Sequence, residues 1–184
     1  MVRTLSLTAA TFALALGALA QEAAAPAHPL TPFYGTWVGT ASGFDEARQP
    51  YTVTQTERVG LMLDGAIAVI EGRGYRDDGS LAFNAFAVVS CSEDAEACDM
   101  NSYLPDRTGS FKLVPTETGF IWTIPAGPEA EVKYVATLDG DVWTEIGHYH
   151  PASGDPMEIF RMEVTRTGDT DWPAGGAVLP PATE

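Results

Sequence analysis

A two-residue alternation of apolar and polar side chains, broken by turn residues at intervals of roughly 8 to 15 positions, runs through most of this chain and limits what it can become. In YTVTQTERV, Tyr51, Val53, Gln55, Glu57 and Val59 fall on one face, while Thr52, Thr54, Thr56 and Arg58 make the other face wholly polar. Successive strand side chains point to opposite sides of a sheet, so such a segment has one face for an interior and one for water. No convincing amphipathic helix is found beside these segments. Strands are predicted at 35–43, 51–59, 61–63 continuing at 66–75, 81–91, 98–104, 109–115, 119–124, 130–138, 142–149 and 157–166. Between them, Asp77-Asp78-Gly79, Asp139-Gly140 and Ser153-Gly154-Asp155 tolerate the positive φ of tight antiparallel reversals.

Nine or ten such strands in an open sheet would present two unpaired edges. Closure into one antiparallel up-and-down β-barrel removes both, and the short connections leave little room for the long crossovers of a sandwich. The opposite faces carry Thr52, Thr54, Thr56 and Arg58, then Lys112, then Glu158, Arg161 and Glu163. An outer-membrane barrel needs a continuous outward apolar band instead, so this barrel is expected to have a wet exterior.

The ends of the chain read differently. Residues 1–20, MVRTLSLTAATFALALGALA, combine Arg3, a short apolar run and Ala18-Leu19-Ala20, the pattern of a cleavable secretory signal peptide. No later run of about 18 apolar residues provides a membrane span. Residues 21–32 are rich in Ala and Pro and read as a linker in which His28 has no role, 33–170 as the barrel, and 171–184 as a Gly/Pro-rich tail with Trp172 and Val178 as its docking candidates. Without its first 20 residues the 184-residue chain has 164, the size of one domain. Its formal net charge of −15 repels polyanions, which argues against nucleic acid and anionic membranes as partners. A secreted or periplasmic monomer is expected.

Cys91 and Cys98 frame CSEDAEAC and, in an exported chain, read as a disulfide that pins a hairpin. The acidic residues in and beside this loop, Glu93, Asp94, Glu96 and Asp99, lack the Gly-centred spacing of a calcium loop. His148 and His150 share one strand face without a third ligand nearby, so no metal site is expected.

In the last strand, Phe160, Met162, Val164 and Arg166 share a mostly apolar face, which points Arg166 inward near the end of the barrel where Trp37 of TPFYGTWVGTA begins the first strand. A guanidinium over an indole closes that end by a cation–π contact. Gly35-Thr36-Trp37 at the start and Arg166 at the end resemble the calycin superfamily, whose lipocalins pair a Gly-x-Trp on the first strand with an Arg on the last. With TQTERVGLMLDGAIAVIEGRG, LAFNAFAVVS, GFIWTIP, VKYVATLDGDVWTEIG and IFRMEVTR, residues 33–170 resemble a family of exported bacterial lipocalin-like proteins. Gly-Thr-Trp is also similar to nitrobindin-type barrels, which hold haem iron through a His near the carboxy terminus. No cofactor is expected, and haem at His148 or His150 is the alternative.

The same alternation turns Gln55 and Glu57 inward, groups Ile67, Val69 and Glu71 on one face, and sets Trp143, Glu145 and Tyr149 together, so three carboxyls are expected in the lumen. Such groups need partners, among them Arg73, Arg166, Tyr103, Tyr134 or the Trp143 N–H, or water in a real cavity. The candidate ligand-binding set is Gln55, Glu57, Glu71, Tyr103, Trp122, Tyr134, Trp143 and Glu145, with aromatic walls from Trp122, Tyr134 and Trp143. A small hydrophobic or amphipathic ligand is the leading expectation. An enzyme using Glu57, Glu71 or Glu145, and a filled barrel serving as an interaction module, are the other two readings. The exported protein is expected to begin at Gln21, which an intact mass of the secreted fraction checks directly.

Overall fold

The computed structural model describes residues 27–45, 47–92 and 96–173 of the chain. The expected signal peptide, the first part of the linker, Glu93, Asp94 and Val178 lie outside the described residues. Ten strands follow one another: β1 (Gly35–Phe44), β2 (Pro50–Met62), β3 (Ile67–Tyr75), β4 (Leu81–Ser90), β5 (Cys98–Tyr103), β6 (Thr108–Thr116), β7 (Gly119–Pro125), β8 (Glu131–Asp139), β9 (Val142–His150) and β10 (Met157–Gly168). Each pairs antiparallel with its neighbours in sequence, and β10 returns to β1, so the sheet is a closed up-and-down barrel. Residues 61–63, expected to lead into the third strand, instead finish β2 and enter the reversal. The chain reverses at Leu63-Asp64-Gly65, all three at positive φ, which is where the Asp-Gly pair places the turn.

Register assigns the faces. Trp37 pairs with Glu57 on one side and Arg166 on the other, and Ala41 pairs with Val53 and Met162. These residues share the inner face with Ala68, Ile70, Gly72 and Gly74 of β3 and with Trp143, Glu145, Gly147 and Tyr149 of β9. Ile67, Val69, Glu71, Arg73 and Tyr75 therefore point outward, the opposite of what the sequence suggested for Ile67, Val69 and Glu71. The segment AIAVIEGRG is apolar on both faces, and its outer face has a cover of its own. Trp172 and Pro173 lie across β2 so closely that Gly60 has no room for a side chain. Val69, the pairing partner of Gly60, is 2% exposed although it faces outward. Arg58 stands 5.4 Å from the Trp172 ring and donates from Nε to Thr170 Oγ1 at 3.1 Å.

One end of the barrel is plugged. A 3₁₀ turn at Thr31–Phe33 carries Leu30 and Phe33 into the core, where Phe33 meets Phe120 at 5.1 Å and Trp143 at 5.0 Å between ring centroids. Trp37 lies edge-on to Trp143 at 5.9 Å, and its Nε1 donates to the Phe33 carbonyl at 2.9 Å. The linker expected over 21–32 therefore gives way to structured chain by His28. Burial lowers the His28 pKa, against the raising effect of a bond to the Val89 backbone, and its Nδ1 accepts from the Leu30 N–H at 3.1 Å. Arg166 seals the same end: its guanidinium carbon is 5.9 Å from the Trp37 ring centroid, and Nη2 donates to the Tyr34 carbonyl and to Asp169 Oδ1. Gly35, at φ 135°, gives way to that guanidinium, because a Cβ there would lie 2.9 Å from Arg166 Nε. A disulfide joins Cys91 to Cys98 beside the plug, with His28 Nε2 3.4 Å from Cys91 Sγ.

Two stability losses follow. Phe33→Ala removes a ring from the plug and is expected to cost about 3–5 kcal/mol in urea unfolding. Replacing both Cys91 and Cys98 by Ser should lower stability by about 2–3 kcal/mol, as opening so short a loop predicts, and equilibrium unfolding in oxidising buffer measures it.

Candidate functional site

Above the aromatic plug the inner face changes character. Glu57 on β2 and Glu145 on β9 each lie two residues along the inner face of a strand from the plug region, next to Val59 and Trp143, and each is only 8% exposed. Gln55 Nε2 donates to Glu57 Oε1 at 2.7 Å, and Trp122 Nε1 donates to Glu145 Oε1 at 3.0 Å. Gly72, the pairing partner of Glu57, leaves space for its head: a Cβ there would stand 2.7 Å from Glu57 Oε1. The wall continues toward the far end with Trp122 stacked on Tyr134 at 4.3 Å and 9°, Phe111 5.5 Å from Trp122, and Phe160 5.8 Å from Tyr134.

These wall residues are only half-buried, and Phe83 and Tyr51, inner-face residues near that end, are 44% and 36% exposed. Water reaches the lumen there, so the barrel has a mouth opposite the plug. Ten strands make a wider tube than the eight whose interior side chains just fill it. Inner-face glycines make room for neighbouring side chains, Tyr134 lying over Gly147 and Phe111 over Gly109.

The electrostatics follow from this placement. Burial pushes the Glu57 carboxyl up to about 8, against the stabilising bond from Gln55, with repulsion from Glu145 and Glu71 adding to the rise. Burial likewise raises Glu145 to about 7, against the bond from Trp122. Tyr134 is raised to about 12, mainly by burial and then by the neighbouring Glu145 charge. Among the described residues neither carboxyl forms an ion pair, so both are poised to exchange a proton near neutrality.

Of the residues singled out from sequence, Gln55, Glu57, Trp122, Tyr134 and Glu145 come together in this lumen. Trp143 joins the plug rather than the wall, and its Nε1 is buried without a hydrogen-bond partner. Glu71 is on the outer face, 2.6 Å from Arg73 Nη2, so two carboxyls rather than three face inward. Tyr103 also points outward. It pairs with Phe86, which pairs with Glu71, and it is 45% exposed at the end of a short strand, CDMNSY, whose inner face is Cys98, Met100 and Ser102. Phe111 and Phe160 were absent from the candidate set, and their inner-face alternation, at β6 and β10, is the signal that locates them.

His148 and His150 lie on the outer face of β9 with ring centroids 6.4 Å apart, and among the described residues no three His, Cys, Asp or Glu gather as a metal-binding group. Two surface grooves are also present. One of about 330 Å³ runs over β1–β3 beside Thr36, Val38, Arg58 and Glu71, and one of about 380 Å³ lies at the β7–β8 turn beside His150. Both are open; the lining of the first includes Trp37 and Glu57, and neither is lined by Gln55, Trp122, Tyr134 or Glu145. No helix among the described residues is long and apolar enough to cross a membrane. Comparison with family models and with curated proteins finds no match for this chain.

The two carboxyls make stability depend on pH. In the unfolded chain both lose their protons in the ordinary carboxylate range, whereas the fold holds them to about 8 and about 7. The native state therefore binds more protons over that window, and stability present below the unfolded value is lost as pH rises through the folded values. The loss by pH 9 is on the order of several kcal/mol. Urea midpoints measured across this range should fall with pH in the wild type and fall much less in Glu57→Gln with Glu145→Gln.

Proposed function

We propose that this protein is an exported, lipocalin-like carrier that holds a small amphipathic or hydrophobic molecule in its lumen. The observation that carries the reading is the layering of the interior: a sealed apolar plug, two buried carboxyls held by single neutral donors, and an aromatic wall open to water. A barrel built for stability alone has no use for that middle layer, since each buried carboxyl costs more than a well-packed apolar side chain. Ligand sites have this composition, mostly apolar walls with a few convergent polar groups. Export is supported by the amino-terminal leader pattern and by the Cys91–Cys98 disulfide, which fits an oxidising compartment. The Trp37–Arg166 closure supports kinship with calycins. A resident metal or haem forms no part of the proposal, because His148 and His150 stand outside the barrel.

One observation favours a second reading. Paired acids with raised pKa values in a cleft also suit general acid and base catalysis, in which one carboxyl donates a proton and the other accepts one. A carrier needs no turnover. In the enzyme reading Glu57→Gln or Glu145→Gln abolishes it.

Protein from Gln21 onward, purified without detergent, is expected to bring a small molecule with it or to take up the fluorophore N-phenyl-1-naphthylamine at one site. Trp122→Ala should weaken that uptake about fivefold, the effect of losing an aromatic contact worth on the order of 1 kcal/mol. Absorption between about 350 and 450 nm, checked on the same sample, should show no Soret band. Such a band would overturn the metal-free reading, and a protein that binds neither the fluorophore nor any co-purifying molecule would overturn the carrier.

A further inference from the structure

We infer that the ligand of this lumen is a cationic amphiphile, an organic amine whose ammonium head sits between Glu57 and Glu145 and whose apolar body lies along Trp122, Tyr134 and Phe160 toward the mouth. The inference rests on the reading of the lumen as a binding site and adds the chemistry of its occupant.

The inner face carries two acidic groups and almost nothing to balance them. Among the described residues, the inner-face groups that titrate are Tyr51, Glu57, Tyr134, Glu145, Tyr149 and Arg166. Arg166 is committed at the plugged end to the Tyr34 carbonyl and Asp169, and His28 is held there with its charge disfavoured by burial. Through the wall, Glu71 adds negative potential at Glu57, while Arg107, in the β5–β6 loop at the mouth, acts on Tyr134 rather than on either carboxyl. The positive charge that would let both carboxyls ionise is thus missing from the lumen side of the chain. An ammonium head supplies it, and its N–H donors match the carboxyl oxygens that Gln55 and Trp122 leave unused.

Three independent features agree with this head group. The stacked Trp122 and Tyr134 rings offer π-faces next to Glu145, the surroundings in which a desolvated cation gains most. Trp143 Nε1, in the floor two residues from Glu145, is a buried donor without a partner, and a hydroxyl on the head group or a water carried in with it would accept from that N–H. Finally, Phe44, Tyr51, Leu81, Phe83 and Met157 are exposed near the strand ends at the mouth, where an apolar chain leaving the lumen would run. The net charge of −15 adds a field that draws cations toward the protein.

Binding then becomes an exchange of cations. The empty site keeps protons on Glu57 and Glu145 up to about 8 and about 7, and an arriving ammonium displaces them to solvent. Amine affinity must rise with pH through that range. A neutral or anionic head has no such dependence in the same direction.

Three amphiphiles that share one chain separate head from tail: dodecylamine, dodecanol and dodecanoate, each displacing N-phenyl-1-naphthylamine below its micellar concentration or, for dodecanol, below its solubility limit. Dodecylamine is expected to bind at one site at least about tenfold more tightly than dodecanol at pH 8.5, with protons released, as calorimetry in buffers of different ionisation heat reads. Its advantage should shrink at pH 5.5. Glu57→Gln with Glu145→Gln should remove the amine's advantage over dodecanol and its proton release, and if that variant does not fold, proton release by the wild type decides alone. Equal binding of all three, or preference for dodecanoate, overturns the cationic class and leaves the carrier standing. Amine binding in several copies that survives both substitutions marks attraction to the acidic surface and also overturns it. Failure of the fluorophore and of all three amphiphiles to bind removes the carrier itself.

Discussion

The ladder between β1 and β10 is the interaction on which this structure depends. Strands adjacent in sequence can pair through local turns, but this pair joins residues more than a hundred positions apart, such as Trp37 with Arg166 and Ala41 with Met162. Without it the sheet has two free edges and no inside. With it, every inward side chain is committed to a shared interior, and the question of which residues face one another across the lumen is settled by register alone. The Arg166 guanidinium and the Trp37 ring sit at the end of that ladder, so the contact that seals the barrel also marks where its first and last strands meet.

Closure creates an interior whose two ends obey different physics. At the plugged end Phe33, Trp37, Phe120 and Trp143 meet edge to face, a geometry that suits the ring quadrupoles and excludes water. One layer further in, the same exclusion is turned on Glu57 and Glu145, where it makes charge expensive and keeps protons bound. The plug therefore does more than fill space: by drying one side of the carboxyl layer it sets the potential at which those groups give up their protons. The glycine opposite Glu57 serves the same arrangement. Gly72 lends its side-chain volume to the Glu57 head, which explains why a strand that looked rich in inward side chains contributes so few.

Strand positions and the closed topology were legible from alternation and turn chemistry, because each strand of an antiparallel meander repeats the same local pattern. The inward direction of Gln55, Glu57 and Glu145 was equally legible, since YTVTQTERV and VWTEIGHYH separate their two faces. What failed was the third strand. Its outward face is apolar for a reason that lies about a hundred residues away, in the Trp172–Pro173 strap, and no reading of AIAVIEGRG by itself can reveal a cover supplied from there. Glu71 went to the wrong face with it. Tyr103 was misplaced although Cys98 and Met100 of its strand alternate inward, because Ser102 and Tyr103 reverse the apolar pattern at the strand's end, and His28 and Leu30 were overlooked because a Pro-rich sequence has no period to announce burial. Leu30 and Phe33, apolar and three apart before the first strand, were the one local hint.

The plug also turns the barrel into a vessel with a single opening. On the carrier reading proposed above, an occupant of the lumen would leave by the way it came, so a guest anchored at the carboxyl layer would go in head first and depart tail first. Capture and release then share one corridor, and anything that covers the mouth slows both equally without altering the affinity at the base. A receiving partner would first meet the apolar end of the cargo, never the head.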